Sequence, residues 1–370
     1  MLSFSSAAVA ALLWLTAGAV VAPRAAHALT CGSFDGWTCK NSPPVQYAGN
    51  FNPGTGYGGF GGGTCTATRT PVIFVHGNGD SAIGWAAPPG SVAGYPTAPR
   101  SVYDELKARG YNDCELFGVT YLSASEQASP AYNFMSPAKS EVLKNFINAV
   151  KAYTGKPQVD IVAHSMGTSV ALATLKSHNL WGSVRKFVNI GGAVRGLNSC
   201  YYTGYANAAA PTCGSQNASN INIFGFFPEG WYYGVWVTNN WTGSGSASAM
   251  RDAPKNRPGT EFYTLSAGFK DQVGCATASF WAGCDQAAKF TSTANVKAQI
   301  NVGAGANAAQ ADWNWKDGMP SNAGGGDTAN GVGHFRARNN TGAIIQRMLL
   351  TPCTGLDCAA DYPYGPKANY

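Results

Sequence analysis

Charged side chains are scarce in this sequence. Asp, Glu, Lys and Arg make up 12% of the 370 residues, about half the share usual for a soluble domain. The 25 basic residues are scattered and form no basic run, so the sequence gives little support to nucleic-acid binding. The hydrophobic share of 45% is too high for a disordered chain. It predicts a folded domain with a full core.

The sequence also has no Cys-x-x-Cys pair and no His/Cys cluster, so nothing in it predicts a metal site. A single apolar run, Ala7–Ala22, raises the question of a membrane anchor, but it is shorter than the roughly 20 residues that a spanning helix needs. Ala26-His27-Ala28 follows as a cleavage site and favours a signal peptide. We therefore expect cleavage after Ala28, a secreted, extracellular protein and one domain over residues 29–370.

Ten cysteines agree with export, because an even number in an exported chain favours disulfides over free thiols. Sequence alone cannot fix their connectivity. We expect neighbouring pairs. These are Cys31 with Cys39, Cys65 with Cys114, Cys200 with Cys213, Cys275 with Cys284, and Cys353 with Cys358.

Short apolar runs alternate with segments of helical periodicity, which predicts an α/β class with a mostly parallel sheet covered by helices on both faces. The predicted strands are 71–75, 115–121, 159–163, 187–190, 261–267 and 296–302, and the predicted helices are 102–109, 140–153, 166–176 and 341–350. Residues 29–70 are interpreted as a loop-like N-terminal wrap. Residues 196–258 break the rhythm and are rich in aromatics, so we expect an insertion over the carboxyl edge of the sheet, near the active site.

The segment Ala163-His164-Ser165-Met166-Gly167 lies between a predicted strand and a predicted helix, which is the context of a nucleophile elbow. The strained turn of an elbow requires small residues two positions on either side of the serine, and Ala163 and Gly167 meet that need. A chance occurrence of the short motif is the alternative. The flanking elements favour Ser165 as a nucleophile.

A serine hydroxyl needs a base, and the chain has five histidines. His27 leaves with the signal peptide, His76 lies in the first strand–loop motif, and His164 lies in the elbow with its side chain expected to point away from the serine oxygen. His178 lies about three turns along the elbow helix, too far to reach. His334, in a glycine-rich loop before the last helix, is therefore the predicted base.

The carboxylate that orients the base should lie between Ser165 and His334, following the chain order Ser, Asp/Glu, His. The acids that qualify by order are Asp252, Asp271, Asp285, Asp312, Asp317, Asp327, Glu229 and Glu261. Asp271 alone follows directly on a convincing strand and is the prediction, with Asp252 and Asp327 next.

An oxyanion hole needs two preorganised N–H donors. The backbone N–H of Met166, directly after the nucleophile, is one. We expect Asn78 to supply the other from the loop after the first strand, with Gly79 as the fallback. Asn-Gly is also a strong turn signal, and the two roles are compatible.

Long stretches of the chain resemble the extracellular poly(3-hydroxybutyrate) depolymerases that attack native, amorphous granules. The stretches that carry the resemblance are Gly56–Gly63, Pro71–Asp80, Ala163–Gly167, Cys200–Tyr205, Phe226–Val237, Phe262–Val273 and Gly331–Phe335. The resemblance implies a single α/β-hydrolase domain without a separate granule-binding module. It implies the triad Ser165, Asp271 and His334, and no cofactor.

A polymer-degrading enzyme of one domain must find its insoluble substrate with its own surface, and exposed aromatics suit that task. The candidates are Tyr132, Phe134, Tyr201, Tyr202, Tyr233 and Trp236. We expect a monomer whose partner is the amorphous polyester granule, and neither nucleic acid nor membrane. The rival hypotheses are a triacylglycerol lipase or general esterase with the same triad, and a non-enzymatic binding protein, which the loss of a triad member would support. No member is missing.

Overall fold

The computed structural model describes most of the chain from residue 42 onward. The described residues are 29–31, 33–34, 39–40, 42–195, 230–232, 235–237, 250–255, 257–275, 284–307, 327 and 331–370. The predicted signal peptide and most of the predicted insertion at 196–258 lie outside them.

The strands of the described part are β1 (Ser33–Phe34), β2 (Cys39–Lys40), β3 (Val45–Tyr47), β4 (Gly59–Gly61), β5 (Val72–Val75), β6 (Leu116–Val119), β7 (Val159–His164), β8 (Val184–Ile190), β9 (Gly230–Tyr232), β10 (Val235–Val237), β11 (Glu261–Ser266), β12 (Val296–Asn301) and β13 (Ala368–Asn369). Its α-helices are α1 (Val102–Ala108), α2 (Ala124–Gln127), α3 (Pro137–Thr154), α4 (Met166–Ser177), α5 (Arg336–Asn339) and α6 (Gly342–Leu350). Short 3₁₀ helices lie at Ala82–Ala86, Pro130–Tyr132, Trp181–Ser183, Met250–Asp252, Gly268–Lys270, Cys284–Gln286 and Gly355–Ala359.

Nine strands form one sheet in the order β13-β12-β11-β8-β7-β5-β6-β4-β3. The six strands from β12 to β6 are mutually parallel, while β13 and β4 join antiparallel at either side. The predicted mostly parallel sheet is confirmed, and the architecture is that of an α/β-hydrolase fold. Because the parallel strands end at the same edge, the loops that follow them meet there.

The central strands are buried on both faces, which explains why they appear in the sequence as unbroken apolar runs. In β5, Val72 and Phe74 enter the core on one face, and Ile73 and Val75 enter the core on the other. Residues of α1 and α6 complete the first core, and residues of α3 and α4 complete the second. Helices therefore cover both faces, as predicted.

The N-terminal segment differs from the loop-like wrap that the sequence predicts, because β3 and β4 extend the sheet beyond β6. Glycine is a poor strand former, so the Gly-rich stretch gave no strand signal. Its glycines are needed for close approach. A Cβ on Gly59 would collide with the carbonyl oxygen of Gly118, and one on Gly61 with the ring of Phe117.

Four of the five expected disulfides are formed: Cys31–Cys39, Cys65–Cys114, Cys275–Cys284 and Cys353–Cys358. Cys200 and Cys213 lie outside the described residues. Within the described part, no helix has both the length and the apolar character to cross a bilayer.

Candidate active site

The turn between β7 and α4 carries Ser165 in a strained conformation. Its backbone has φ 54° and ψ −129°, a region that a non-glycine residue seldom occupies. The N–H of Ser165 donates to the carbonyl oxygen of Ile190 at 2.8 Å, which fixes the turn against the end of β8. The serine is half-buried, directly in front of the first turn of α4.

Close packing below this turn accounts for the small residue at position 167. A Cβ on Gly167 would run into the carbonyl oxygens of Val75 and His76 at the end of β5. A Cβ on Gly77 would lie 3.1 Å from the Cβ of Ser165. The loop after β5 and the elbow are therefore in direct contact, as a nucleophile elbow beside an oxyanion loop requires.

Asp271 and His334 are hydrogen-bonded to each other. His334 Nδ1 lies 3.0 Å from both carboxylate oxygens of Asp271. Oδ1 of Asp271 also accepts the backbone N–H groups of Val273 at 2.9 Å and Gly274 at 2.7 Å. A carboxylate only accepts, so the hydrogen bond to Asp271 places the proton of the His334 ring on Nδ1. The other ring nitrogen, Nε2, is thereby left with the lone pair that a general base uses.

Gly191 connects this pair to the elbow. It directly follows Ile190, whose carbonyl oxygen binds the Ser165 N–H. A Cβ on Gly191 would lie 3.2 Å from His334 Nδ1 and 3.6 Å from Asp271 Oδ2. The predicted elbow after β7 and the hydrogen-bonded pair Asp271 and His334 therefore lie on either side of Ile190 and Gly191, at the carboxyl edge of the sheet.

His164 touches the main chain of His334. Its Nε2 lies 3.1 Å from the carbonyl oxygen of His334, and the two rings have centroids 4.7 Å apart. Burial, with a smaller contribution from neighbouring positive charge, holds the pKa of His164 well below its usual range. The ring is therefore neutral and only weakly basic, and its Nε2 is bonded to the His334 carbonyl oxygen, which makes His164 a poor alternative to His334 as the base.

His76 is likewise neutral and structural. Its Nδ1 lies 2.8 Å from the carbonyl oxygen of Gly77, its Nε2 accepts the backbone N–H of Tyr121 at 3.2 Å, and its ring stacks on that of Tyr121. Burial lowers the pKa of His76 to about 3. This arrangement stabilises the loop that carries Asn78, the predicted oxyanion donor.

The predicted oxyanion donors lie on the two segments that face Ser165. Met166 is the first residue of α4, where backbone N–H groups have no intrahelical acceptor and the helix dipole favours negative charge. Asn78 is held through its side chain, which donates to the carbonyl oxygen of Pro130 at 2.9 Å and accepts from Asn133 Nδ2 at 2.8 Å. These hydrogen bonds engage the side chain of Asn78 and not its backbone N–H, which is the predicted donor. Asn133 is a contributor that no sequence signal indicates.

A buried ion pair joins the two loops of the site. Asp80, at the end of the loop after β5, pairs with Arg338, which lies in α5 four residues after His334. Both side chains are almost fully buried, and the guanidinium also lies over the ring of Trp85. The residues are far apart in sequence, so only the fold reveals the pair.

The reserve candidates for the acid lie elsewhere. Asp252 accepts from the Thr291 hydroxyl and pairs with Lys255. Asp327 binds backbone N–H groups around His334 and not its ring. His178 faces Glu141. Among the residues that the structure describes, no group of three or more His, Cys, Asp or Glu side chains is arranged to hold a metal ion.

The expected surface aromatics are described only in part. Tyr132 is 59% exposed and follows Pro130, the partner of the Asn78 side chain. Phe134 is half-buried, with the Lys139 ammonium 5.8 Å from its ring centre. Tyr201, Tyr202 and Tyr233 lie outside the described residues. Trp236 lies in the β9–β10 hairpin, of which only the backbone is described.

Comparisons with known proteins show similarities to lipases. Residues 69–222 match the family described as lipase (class 2), a range that contains the oxyanion loop and the elbow and ends before Asp271. Among solved structures, the chain is similar to the Bacillus licheniformis lipase BlEst2 in its propeptide form, with 17% identity, a TM-score of 0.34, and coverage of 55% of this chain and 37% of that one. The mature form gives the same identity and TM-score and is covered to 69%.

Aspergillus fumigatus lipase B is 12% identical, with a TM-score of 0.35 and coverage of 67% of this chain and 45% of that one. This chain therefore spans less than half the length of lipase B and of the propeptide form of BlEst2.

Proposed function

We propose that this chain, which is lipase-like over residues 69–222, is a secreted carboxylic ester hydrolase with Ser165 as its nucleophile. The observation that carries the proposal is the hydrogen bond of His334 Nδ1 to Asp271, beside a serine in a strained strand-to-helix turn. A nucleophile, an orienting carboxylate and a base in that chain order serve acyl transfer.

In the proposed reaction, His334 Nε2 takes the proton of Ser165 as the serine oxygen attacks the ester carbonyl carbon. The negative charge that develops on the carbonyl oxygen is bound by the N–H groups of Met166 and Asn78. Asp271 stabilises the imidazolium that forms. His334 then returns the proton to the alcohol oxygen, the C–O bond breaks, and the acyl group stays on Ser165. Water, deprotonated by His334, hydrolyses this acyl-enzyme in a second round.

We propose the ester bonds of poly(3-hydroxybutyrate), in amorphous granules outside the cell, as the substrate. Sequence resemblance to depolymerases of native granules supports this choice. The disulfides Cys65–Cys114, Cys275–Cys284 and Cys353–Cys358 agree with an oxidising, extracellular environment. We expect a monomer with no cofactor.

Tyr132 is the described aromatic best placed to touch a polymer. It is exposed, and it lies two residues after Pro130, whose carbonyl oxygen binds the side chain of Asn78. A tyrosine suits a half-wet apolar contact because its hydroxyl stays solvated. A polymer chain held there would lie on the segment that binds the side chain of Asn78.

A triacylglycerol lipase is the second candidate, and the class 2 lipase match favours it. A clearing assay separates the two. Purified protein is applied to amorphous polymer granules, crystalline polymer and a triolein emulsion. We expect clearing of the amorphous granules alone, and none with Ser165→Ala. Clearing of triolein but not of the polymer would make the protein a lipase.

Replacement of Tyr132 tests the contact surface. Tyr132→Ala should weaken adsorption to granules, measured by depletion from solution, while hydrolysis of a short soluble ester stays within about twofold of the parent because the triad is untouched. Tyr57→Ala is the matched control, since Tyr57 is similarly exposed, at 54%, but lies on a different loop, where its backbone N–H donates to the carbonyl oxygen of Thr120. Equal loss of adsorption in both variants, or loss of soluble-ester hydrolysis in Tyr132→Ala, would contradict the assignment.

A further inference from the structure

We propose that His164 and Gln272 are positioning residues that together hold the main chain of His334 in place relative to Ser165 and Asp271. The inference rests on the proposed function, because it assigns roles to two residues that act through the proposed base. Each is the sequence neighbour of another triad member: His164 precedes Ser165, and Gln272 follows Asp271.

Gln272 binds the N–H side of His334. Its Oε1 accepts the backbone N–H of His334 at 2.8 Å. Its Nε2 donates to Asp327 Oδ2 at 2.6 Å, which fixes the amide so that the oxygen faces His334. Asp327 in turn accepts the backbone N–H groups of Gly333 at 2.9 Å and Phe335 at 3.0 Å. The main chain on both sides of His334 is thus bound to one network.

His164 binds the carbonyl side of the same residue, at 3.1 Å from Nε2 to the His334 oxygen. A carbonyl oxygen only accepts, so the proton of the neutral His164 ring lies on Nε2. The other ring nitrogen, Nδ1, is buried and has no hydrogen-bond partner among the described residues. The only hydrogen bond of this ring given by the structure is therefore the one to His334.

The contacts of Gln272 and His164 tie His334 to segments that are distant in sequence. His334 arrives from a loop that is separated by 62 residues from Gln272 and by 170 from His164. The hydrogen bond to Asp271 fixes one atom of the ring and by itself does not fix the main chain of His334. Hydrogen bonds to both the N–H and the carbonyl oxygen of His334 fix the position of its Cα, from which the imidazole projects. An error of about 1 Å in the position of a catalytic group can cost about a hundredfold in rate.

Three variants test the proposal on a short soluble ester. His164→Leu removes the donor, and Gln272→Met removes both amide contacts at similar length. In each, kcat should fall about ten- to a hundredfold with KM changed by less than about twofold, since binding of the ground state does not depend on the base. His164→Gln, whose amide can donate from nearly the position of Nε2, should recover most of the loss.

Gln299→Met is the matched control. Like Gln272, Gln299 accepts a backbone N–H through Oε1, that of Phe290 at 2.8 Å, and its Nε2 donates to the carbonyl oxygen of Phe290 at 3.3 Å. This variant should lose thermal stability without loss of kcat. A fall of kcat in Gln299→Met as large as in Gln272→Met would show a general effect of destabilisation and overturn the proposal.

The NMR signal of the His334 Nδ1 proton gives a readout that does not need hydrolysis. The signal is assigned by its absence in Asp271→Asn. It should shift or broaden in His164→Leu and Gln272→Met, and stay in place in His164→Gln and Gln299→Met. An unchanged signal together with unchanged kcat in the first two variants would overturn the positioning roles. Full activity in Ser165→Ala would instead refute the proposed function, and the NMR comparison would still decide the positioning roles.

Discussion

Replacing Asp271 by Asn isolates the role of one charge, because the two side chains have nearly the same shape. The Oδ1 position of Asp271 accepts the N–H groups of Val273 and Gly274. An asparagine oxygen in that position keeps both hydrogen bonds, so its NH₂ group must occupy the Oδ2 position. That group faces His334 Nδ1, which lies 3.0 Å away.

Oδ1 is equally close to Nδ1, but it already accepts the N–H groups of Val273 and Gly274. The NH₂ group is thus the partner left for Nδ1, and it reverses the tautomer of His334. Nδ1 must then accept, and the proton moves to Nε2, where it blocks the removal of the serine proton. Loss of the correct tautomer and of the charge that stabilises the imidazolium costs about 10⁴-fold in kcat in triads of this kind. That factor corresponds to about 5.4 kcal/mol of transition-state stabilisation. Because the backbone contacts persist, the free energy of unfolding should change by less than about 1 kcal/mol.

The assay is hydrolysis of a soluble short-chain ester, with urea unfolding as the measure of stability. Asp252→Asn is the matched control, since Asp252 binds Thr291 and Lys255 and should be dispensable for rate. Activity of Asp271→Asn within tenfold of the parent, or a large loss in Asp252→Asn, would refute the assignment of the acid. A collapse of stability in Asp271→Asn would refute the argument that its backbone contacts survive.

Three further predictions concern stability. Arg338→Met leaves Asp80 without its buried cation and should lower the free energy of unfolding in urea by about 3–5 kcal/mol. The double variant with Asp80→Asn should recover part of this loss, and a loss below about 1 kcal/mol in Arg338→Met would contradict the prediction. Burial raises the pKa of Glu115, but hydrogen bonds from neighbouring backbone N–H groups outweigh burial and lower it overall. The stability that Glu115 contributes is therefore complete above its unfolded pKa of about 4.3 and is lost as pH falls. The difference in Tm between the parent and Glu115→Gln should accordingly shrink in acid, and a difference that grows in acid would contradict the argument. Replacing both Cys65 and Cys114, whose disulfide spans 49 residues, by Ser should lower the free energy of unfolding by about 4 kcal/mol through the loss of loop closure. An unchanged free energy of unfolding in this double variant would refute the prediction.

Local sequence was sufficient for several features of this protein. The strands β5, β7 and β8 and the helices α3 and α4 lie where apolar runs and helical periodicity predict them, because burial on both faces or on one stripe leaves a pattern in consecutive residues. Ser165 could be selected for the same reason, since its turn needs small residues at fixed spacing. Elimination among five histidines led to His334, which the structure brings into contact with Asp271.

The remaining contacts depend on residues that meet only after folding. The order of strands brings the ends of β5, β7 and β11 to one edge, and nothing in the local pattern pairs Asp80 with Arg338 or joins Asn78 to Asn133. The strand β4 was not predicted because its glycines have a low strand propensity, and they are required by the close approach of neighbouring residues. Gln272 and His164 are adjacent in sequence to residues that local patterns selected. Only the tertiary structure turns their side chains toward the main chain of His334, since a hydrogen bond across 62 or 170 residues leaves no periodic trace in the sequence.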